Sequence, residues 1–140
     1  MSVKSYDAGS VLVILNGVIV EGIADGTFLT AARDNPAFTK GTGSGGEGWR
    51  AKSNDRSGTV TLTLLQTSAT NDLFSALMAL DEQTGNGVGA LLIKDNSGLT
   101  LISAESAWLE KPADAEFARE VSNREWTIGT NDLNMHNGGN

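Results

Sequence analysis

Val11-Leu12-Val13-Ile14-Leu15 runs into Asn16-Gly17 and then into Val18-Ile19-Val20. A two-residue type I′ turn needs positive φ at both central positions, which Asn and Gly tolerate best, and its twist matches that of the strands it joins. The run predicts two antiparallel strands and commits the start of the chain to β structure. Asp25-Gly26 repeats the device before Thr27–Ala31, so a three-stranded antiparallel meander is expected within residues 1–33. Thr59–Leu64 alternates strictly, with Val60, Leu62 and Leu64 on one face and threonines on the other, the pattern of a half-buried strand. Ala90–Asp95 and Thr100–Leu109 are two further strands across the turn Asn96-Ser97-Gly98, and Arg124–Ile128 closes the set with Trp126 and Ile128 inward. Trp108 lies in a similar apolar alternation, so it is also assigned to the core.

One helix is predicted, from Asn71 to about Glu82, preceded by Ser68 and Thr70 as capping residues and ended by Gly85-Asn86-Gly87. Leu73, Phe74, Leu77, Met78 and Leu80 give it an apolar stripe to lay on a sheet, and Asp72 in its first turn suits the macrodipole. Ala113–Val121 fits either a strand or, through Phe117 and Val121, a helix face. It is assigned to strand because it lies between two β-like runs. Lys40–Gly58 is the least regular stretch, with five glycines between positions 41 and 48 followed by Trp49-Arg50-Ala51-Lys52-Ser53-Asn54-Asp55-Arg56-Ser57. A long irregular connection inside a compact domain is either functional or disordered.

The 140 residues amount to one domain's worth of chain and an ordinary globular mixture, 39% apolar and 19% charged. No cysteine is present, which excludes disulfides, thiolate metal sites and cysteine nucleophiles. The start, Met-Ser-Val-Lys-Ser-Tyr-Asp, shows no apolar signal region, and no stretch approaches the ~20 apolar residues of a membrane span, so a chain with no membrane association is expected. Residues 1–70 carry six basic and six acidic side chains, so residues 71–140, with four against 11, hold the entire net charge of −7. Such an excess repels phosphate and argues against tight nucleic-acid binding. The 40–58 stretch runs the other way at +2, from Lys40, Arg50, Lys52 and Arg56 against Glu47 and Asp55.

Catalytic chemistry finds little foothold. Gly41-Thr42-Gly43-Ser44-Gly45-Gly46 matches G-x-G-x-x-G, but no βαβ pattern surrounds it, no helix begins after it, and Glu47 stands where a P-loop would place lysine. It therefore reads as a flexible loop. His136 is the only histidine and lies near the end of the chain, where a frayed, solvated side chain is expected. Serines are frequent, yet no G-x-S-x-G elbow or credible base accompanies them, and Asp81-Glu82, Glu116 and Glu120 read as a helix end and a solvated face. No catalytic, cofactor or metal residue is nominated. Trp49 beside Arg50 in a polar glycine loop has the composition of an interface anchor, or it folds back onto its own domain.

These motifs also occur in a recognisable order. Asn16-Gly17 is followed by Gly22-x-x-Asp25-Gly26-Thr27-Phe28, by Gly48 through Asn54-Asp55-Arg56-Ser57-Gly58, and by Thr59–Ser68 with Asn71. Ile93-Lys94-Asp95-x-x-Gly98, Ala107-Trp108, Arg124-Glu125-Trp126-Thr127 and Gly138-Gly139-Asn140 complete the set. The whole resembles the tail tube proteins of contractile-tailed bacteriophages, and the Asn-Asp-Arg-Ser-Gly run entering a Thr/Leu strand carries most of the likeness.

The resemblance implies a mainly β subunit, an antiparallel β-sandwich or barrel, with one flanking helix near 71–82 and a long glycine-rich loop near 40–58. It implies homo-oligomeric rings, six subunits each, stacked head to tail into the inner tube of the virion's contractile tail. The implied partners are a sheath protein, baseplate hub and tail terminator proteins, and double-stranded DNA that passes without tight binding. Synthesis would be in the bacterial host cytoplasm. The family brings no catalytic residues, and its long loop is implied to reach a neighbouring subunit or ring, here through Lys40, Gly46, Trp49, Arg50, Lys52, Asp55 and Arg56. Phage-tail-like bacteriocins and secretion tubes share the architecture and stay as alternatives. Outside the family, a monomeric β-sandwich binding module presenting Trp49 is the other reading.

Overall fold

The computed structural model describes residues 3–140; Met1 and Ser2, the first two residues of the start assessed for a signal region, lie outside that range. After a 3-10 turn at Ala8–Ser10, the elements are β1 (Val11–Leu15), β2 (Val18–Ile19), β3 (Leu29–Arg33), β4 (Phe38–Thr42), β5 (Gly48–Lys52) and β6 (Gly58–Leu65). They continue with α1 (Thr70–Thr84), β7 (Gly89–Asp95), β8 (Leu101–Lys111), β9 (Asn123–Thr130) and β10 (Leu133–His136). The fold is mainly β with one helix. Its antiparallel main sheet runs β2-β1-β7-β8-β9-β6-β3, with β10 beside the first half of β8 where β9 leaves off.

The opening hairpin forms as its turn residues dictate. Asn16 (φ 48°) and Gly17 (φ 81°) are both left-handed, and β1 pairs β2 through Leu15↔Val18 and Ile14↔Ile19. A side chain at Gly17 has free space, so Gly17→Val isolates the backbone term. It is expected to lower stability by about 1–2 kcal/mol, measured as a shift of the urea midpoint without a change of slope.

The three-stranded meander does not form. Beyond β2 the chain crosses to the far side of the sheet: Gly22 O accepts from Leu65 N at 2.8 Å, Ala24 N donates to Thr63 O at 3.1 Å, and β3 pairs with β6 from Leu29↔Leu62 to Arg33↔Gly58. Gly22 permits this, since its φ is +68° and a Cβ there would sit 2.5 Å from the Ser68 Cβ. Asp25-Gly26 makes only a bend, with Gly26 left-handed (φ 80°) and Asp25 not, so the type I′ turn does not form there, and partner choice is a long-range event that turn chemistry does not encode.

One face of the sheet builds the core from Val13, Leu15, Val60, Leu62, Leu64, Leu91, Ile93, Leu109, Trp126 and Ile128 among others, closed by Phe74 of α1. Every second residue of β6 is buried, beginning with Gly58. Trp108 departs from expectation: it is half-buried on the opposite face, while Ala107 and Leu109 point inward. Between Gly89↔Ala107 and Leu91↔Ala104, β8 holds one residue more than β7, and such a bulge switches the phase of alternation.

The helix starts one residue earlier and ends two later than expected, and Gly85 terminates it in the left-handed conformation (φ 74°). Ser68 Oγ accepts from Thr70 N at 3.2 Å, although Ala69 holds the N-cap position and no side chain caps it. Phe74 is buried and Leu77 and Met78 pack against the core, whereas Leu73 and Leu80 are exposed on the flank of the stripe. Residues 112–122 form no strand. Phe117 and Val121 are 79% and 61% exposed, so the alternation there has no buried face to serve. His136 is solvated, as expected, but lies in β10 opposite Leu101 rather than in a frayed end. Among the described residues, no helix is long and apolar enough to cross a membrane.

Candidate interaction arm

The stretch expected as an irregular loop is a β-hairpin that stands apart from the main sheet. β4 and β5 pair only with each other, from Phe38↔Lys52 through Lys40↔Arg50 and Gly41↔Trp49 to Thr42↔Gly48. Gly43 N donates to Glu47 O at 2.8 Å and Gly46 N to Gly43 O at 3.0 Å, so Ser44–Gly46 is a three-residue loop with Gly46 left-handed (φ 88°). The G-x-G-x-x-G run is thus the end of a strand and the tip of a hairpin, not a strand-to-helix turn. With five residues in each strand, the arm extends roughly 15 Å from its base.

Directly opposed residues share a face, so the register sorts the side chains. Phe38, Lys40, Arg50 and Lys52 lie on one face and Thr39, Ala51 and Trp49 on the other. The Arg50 guanidinium stacks 4.4 Å over the Phe38 ring. On the other face Trp49 lies across Gly41, where any Cβ would run into the indole. Trp49 therefore packs within its own arm and is still 56% exposed, while Phe38 is 47% exposed. Lys40 and Arg50 face each other directly, a like-charge pair that opposes the hairpin in isolation. No residue of the arm belongs to the core, and all of β5 is exposed.

A knitted neck holds the arm to the sheet. Ser53 N donates to Ala37 O at 2.8 Å and Asp34 N to Ser57 O at 3.0 Å. Asp55 accepts from Asn35 Nδ2 at 2.7 Å, Ser57 Oγ at 2.7 Å and Ser57 N at 3.0 Å, while Asp34 accepts from Thr59 Oγ1 at 2.9 Å. Beneath it, two arginines latch onto the corner between β9 and β10. Arg33 Nε donates to Leu133 O at 3.0 Å, and Arg56 Nε lies 3.2 Å from Asp132 Oδ1 while its Nη2 bonds Asn134 Oδ1. That Asp132 oxygen is shielded from solvent without a well-aligned hydrogen bond, so charge attraction rather than hydrogen-bond geometry holds it.

The Asp55 carboxyl is held below the usual carboxylate range, first by the Ser57 hydroxyl, then by the Ser57 amide and Asn35. A depressed folded-state value means that the neck gains from the ionised form at neutral pH and loses that gain only as acid passes below the ordinary Asp value of 3.8. Amide exchange at Ser57 is expected to stay slow from neutral pH down to about 4 and to accelerate, relative to the intrinsic rate, below it. Asp55→Ala is expected to show the accelerated rate already at neutral pH.

Of the seven residues singled out in the sequence, the structure brings Lys40, Arg50 and Lys52 together on one face, sets Trp49 on the other and Gly46 at the tip, and turns Asp55 and Arg56 back into the neck. Sequence reasoning missed Phe38, which precedes the glycine run, and the neck partners Asp34 and Asn35, which join Asp55 and Ser57 only through the fold. The period-two spacing of Phe38, Lys40 and Thr42 was the available signal.

No protein-family model matches the chain. The structural protein ORF10 of Pseudomonas phage KPP10 is 24% identical over 145 residues, spanning 98% of this chain and 84% of that protein. A chain from the cryo-EM structure of the PVC sheath/tube terminator in its extended state, an extracellular contractile injection system, has the same fold at a TM-score of 0.66 and 12% identity, over 98% of this chain and 100% of that one. A chain from the cryo-EM structure of the anti-feeding prophage cap, the AFP tube terminating cap, matches at a TM-score of 0.58 and 12% identity, over 97% of this chain and 94% of that one. The chain is thus similar to a phage structural protein and shares its fold with chains from contractile injection systems.

Proposed function

We propose that this chain is a structural subunit of the inner tube of a contractile tail, a virion component whose copies form rings, six to a ring, stacked head to tail around a channel for the genome. The observation that carries this reading is the arm: a braced hairpin that contributes nothing to its own core yet exposes Phe38, Trp49 and three cations. Aromatic and arginine side chains on a protruding element are what interface anchors are made of. The outer edge of β3 and the short β2 leave backbone groups at both ends of the sheet for lateral pairing with neighbours, which would close a ring and protect those edges. The similarity to a phage structural protein over nearly the whole chain and the shared fold support the same reading. A net charge of −7 suits a wall that DNA slides past. Sheath, baseplate hub and terminator proteins are the partners this role requires. A bacteriocin or secretion tube would be the same assembly with another cargo.

A second reading, a cap that ends the tube, is favoured by the two solved structures, which are those of terminating assemblies. Electron microscopy separates the two. A tube subunit at high concentration, or mixed with its tail partners, gives stacked rings or long hollow tubes; a cap gives isolated rings that bind tube ends. Protein that stays monomeric even with the partners present overturns both.

A further inference from the structure

We propose that the arm's receptor is a groove on a second copy of this chain, between residues 112–122 and the outer face of β6 and β9, where Asp114, Glu116 and Glu125 outnumber the one lining cation, Lys111. This rests on the assembly proposed above and names the surface through which it stacks.

Register places the arm at one end of a strand pair and the groove along the part of it away from the arm. β3 leads into β4 at Arg33, which pairs with Gly58, and Gly58 pairs with Thr130. The other end of that ladder is Leu65↔Asn123. There the 112–122 segment is tied down, with Gln66 N donating to Ser122 O and Ser122 N donating to Gln66 Oε1, both at 3.0 Å. The groove begins at Thr127, opposite Thr61, and runs on past Glu125, opposite Thr63, to Asn123, opposite Leu65, so it lies roughly 10 to 25 Å along the strand pair from the arm's base at Gly58. Two different patches on one subunit make a head-to-tail contact, which propagates along an axis instead of closing on itself.

The chemistry of the two patches is complementary. The arm, residues 38–52, carries Lys40, Arg50 and Lys52 against Glu47, a net +2. Residues 110–125 carry five acidic and three basic side chains, a net −2. Among the described residues the groove's acids meet one ion pair, Lys111 to Asp114 at 3.7 Å and well exposed; Glu116 and Glu125 have none. The Lys40↔Arg50 opposition is relieved when carboxylates from another copy settle over that face. Both patches also expose apolar surface, Phe38 and Trp49 on the arm and Phe117 and Val121 beside the groove. Phe117 carries Arg124 at 5.3 Å as Phe38 carries Arg50.

The test is a charge exchange. Arg50→Glu with Lys52→Glu, and separately Glu116→Lys with Glu125→Lys, should each raise the concentration needed for stacking about tenfold or more at physiological salt, and the four changes together should restore it. Circular dichroism melts should stay within a few degrees of the parent. Because the chain has no cysteine, Lys52→Cys combined with Glu116→Cys gives a second readout: a short bis-maleimide should produce a ladder beyond dimers, and either change alone should give at most dimers. If the groove variant stacks normally, or the exchange restores nothing and no ladder forms, while removal of the arm still blocks stacking, the receptor assignment is wrong and the tube reading stands. If the parent never stacks, or stacks without its arm, the tube reading falls and the receptor with it.

Discussion

A chain in which residues 38–52 are replaced by a short glycine–serine link is expected to fold as the parent does and to be absent from every stacked assembly. The folding half of that expectation follows from where the arm's contacts go. β4 and β5 pair only with each other, none of their residues joins the core cluster, and all of β5 is solvated. Their removal strips no apolar surface from the core. Ala37 and Ser53 already meet through a 2.8 Å backbone hydrogen bond, so the link closes a gap the neck has brought together. Shortening a loop by a factor of a few changes closure entropy by about 1 kcal/mol, and the urea midpoint should move by no more than that. The assembly half follows from the proposed role of the exposed Phe38, Trp49 and cation face: with the arm gone, one partner of the proposed stacking contact no longer exists. The predicted outcome is cooperative unfolding with parent-like slope, together with electron micrographs showing no tubes. A deletion variant that unfolds would make the arm part of the fold, and one that forms tubes would strip it of its role.

What the sequence disclosed, and what it hid, follows the reach of each physical signal. Asn16-Gly17 is legible because a type I′ turn is decided by two residues, and β6 because its alternating Val60, Leu62 and Leu64 meet a continuous core. β4 and β5 were invisible because alternation marks a strand only when one of its faces is buried, and neither strand of the arm has a buried face. The converse misled at 113–121, where residues at period two suggested a strand that has no partner to pair with. Trp108 was misplaced by one inserted residue in β8, a defect that becomes visible only when β7 is laid beside it. The candidate site divides in the same way. The excess of Lys and Arg and the unusual Trp49 could be seen in the chain, but the sorting of cations to one face and of Trp49 to the other required the register, and the neck required the meeting of segments some 20 residues apart, as at Asn35 and Asp55.

Phe74→Ala is expected to be the most damaging single change, at about 3–5 kcal/mol, the range for deleting a fully buried aromatic ring. Phe74 is the one apolar helix residue with no exposure, and its ring meets Trp126 edge to face, centroids 5.4 Å apart at 81°. Around that pair runs a polar clamp: Trp126 Nε1 donates to Asn71 Oδ1 at 3.0 Å, and Asn71 Nδ2 donates to Leu65 O at 2.8 Å. An isolated helix of 15 residues is marginal in water, so α1 depends on this attachment for its existence. Losing the ring therefore removes the side chain's transfer energy, leaves a cavity over Trp126 and releases the helix from the sheet. Asn71→Ala keeps the ring and orphans the indole N–H, which should cost a smaller 1–3 kcal/mol or so. Leu73→Ala, on the exposed flank of the same helix, should cost under about 0.5 kcal/mol. Urea unfolding of the three variants tests the ordering, and a near-ultraviolet circular dichroism change that disappears on a Trp126→Phe background reports whether the helix has lifted from Trp126. If Phe74→Ala and Leu73→Ala fall together, the helix is held by its flank and the edge-to-face contact is incidental. If Phe74→Ala alone falls, one aromatic pair fixes α1 against the sheet, at the strand pair β6–β9 from whose Gly58 end the arm extends.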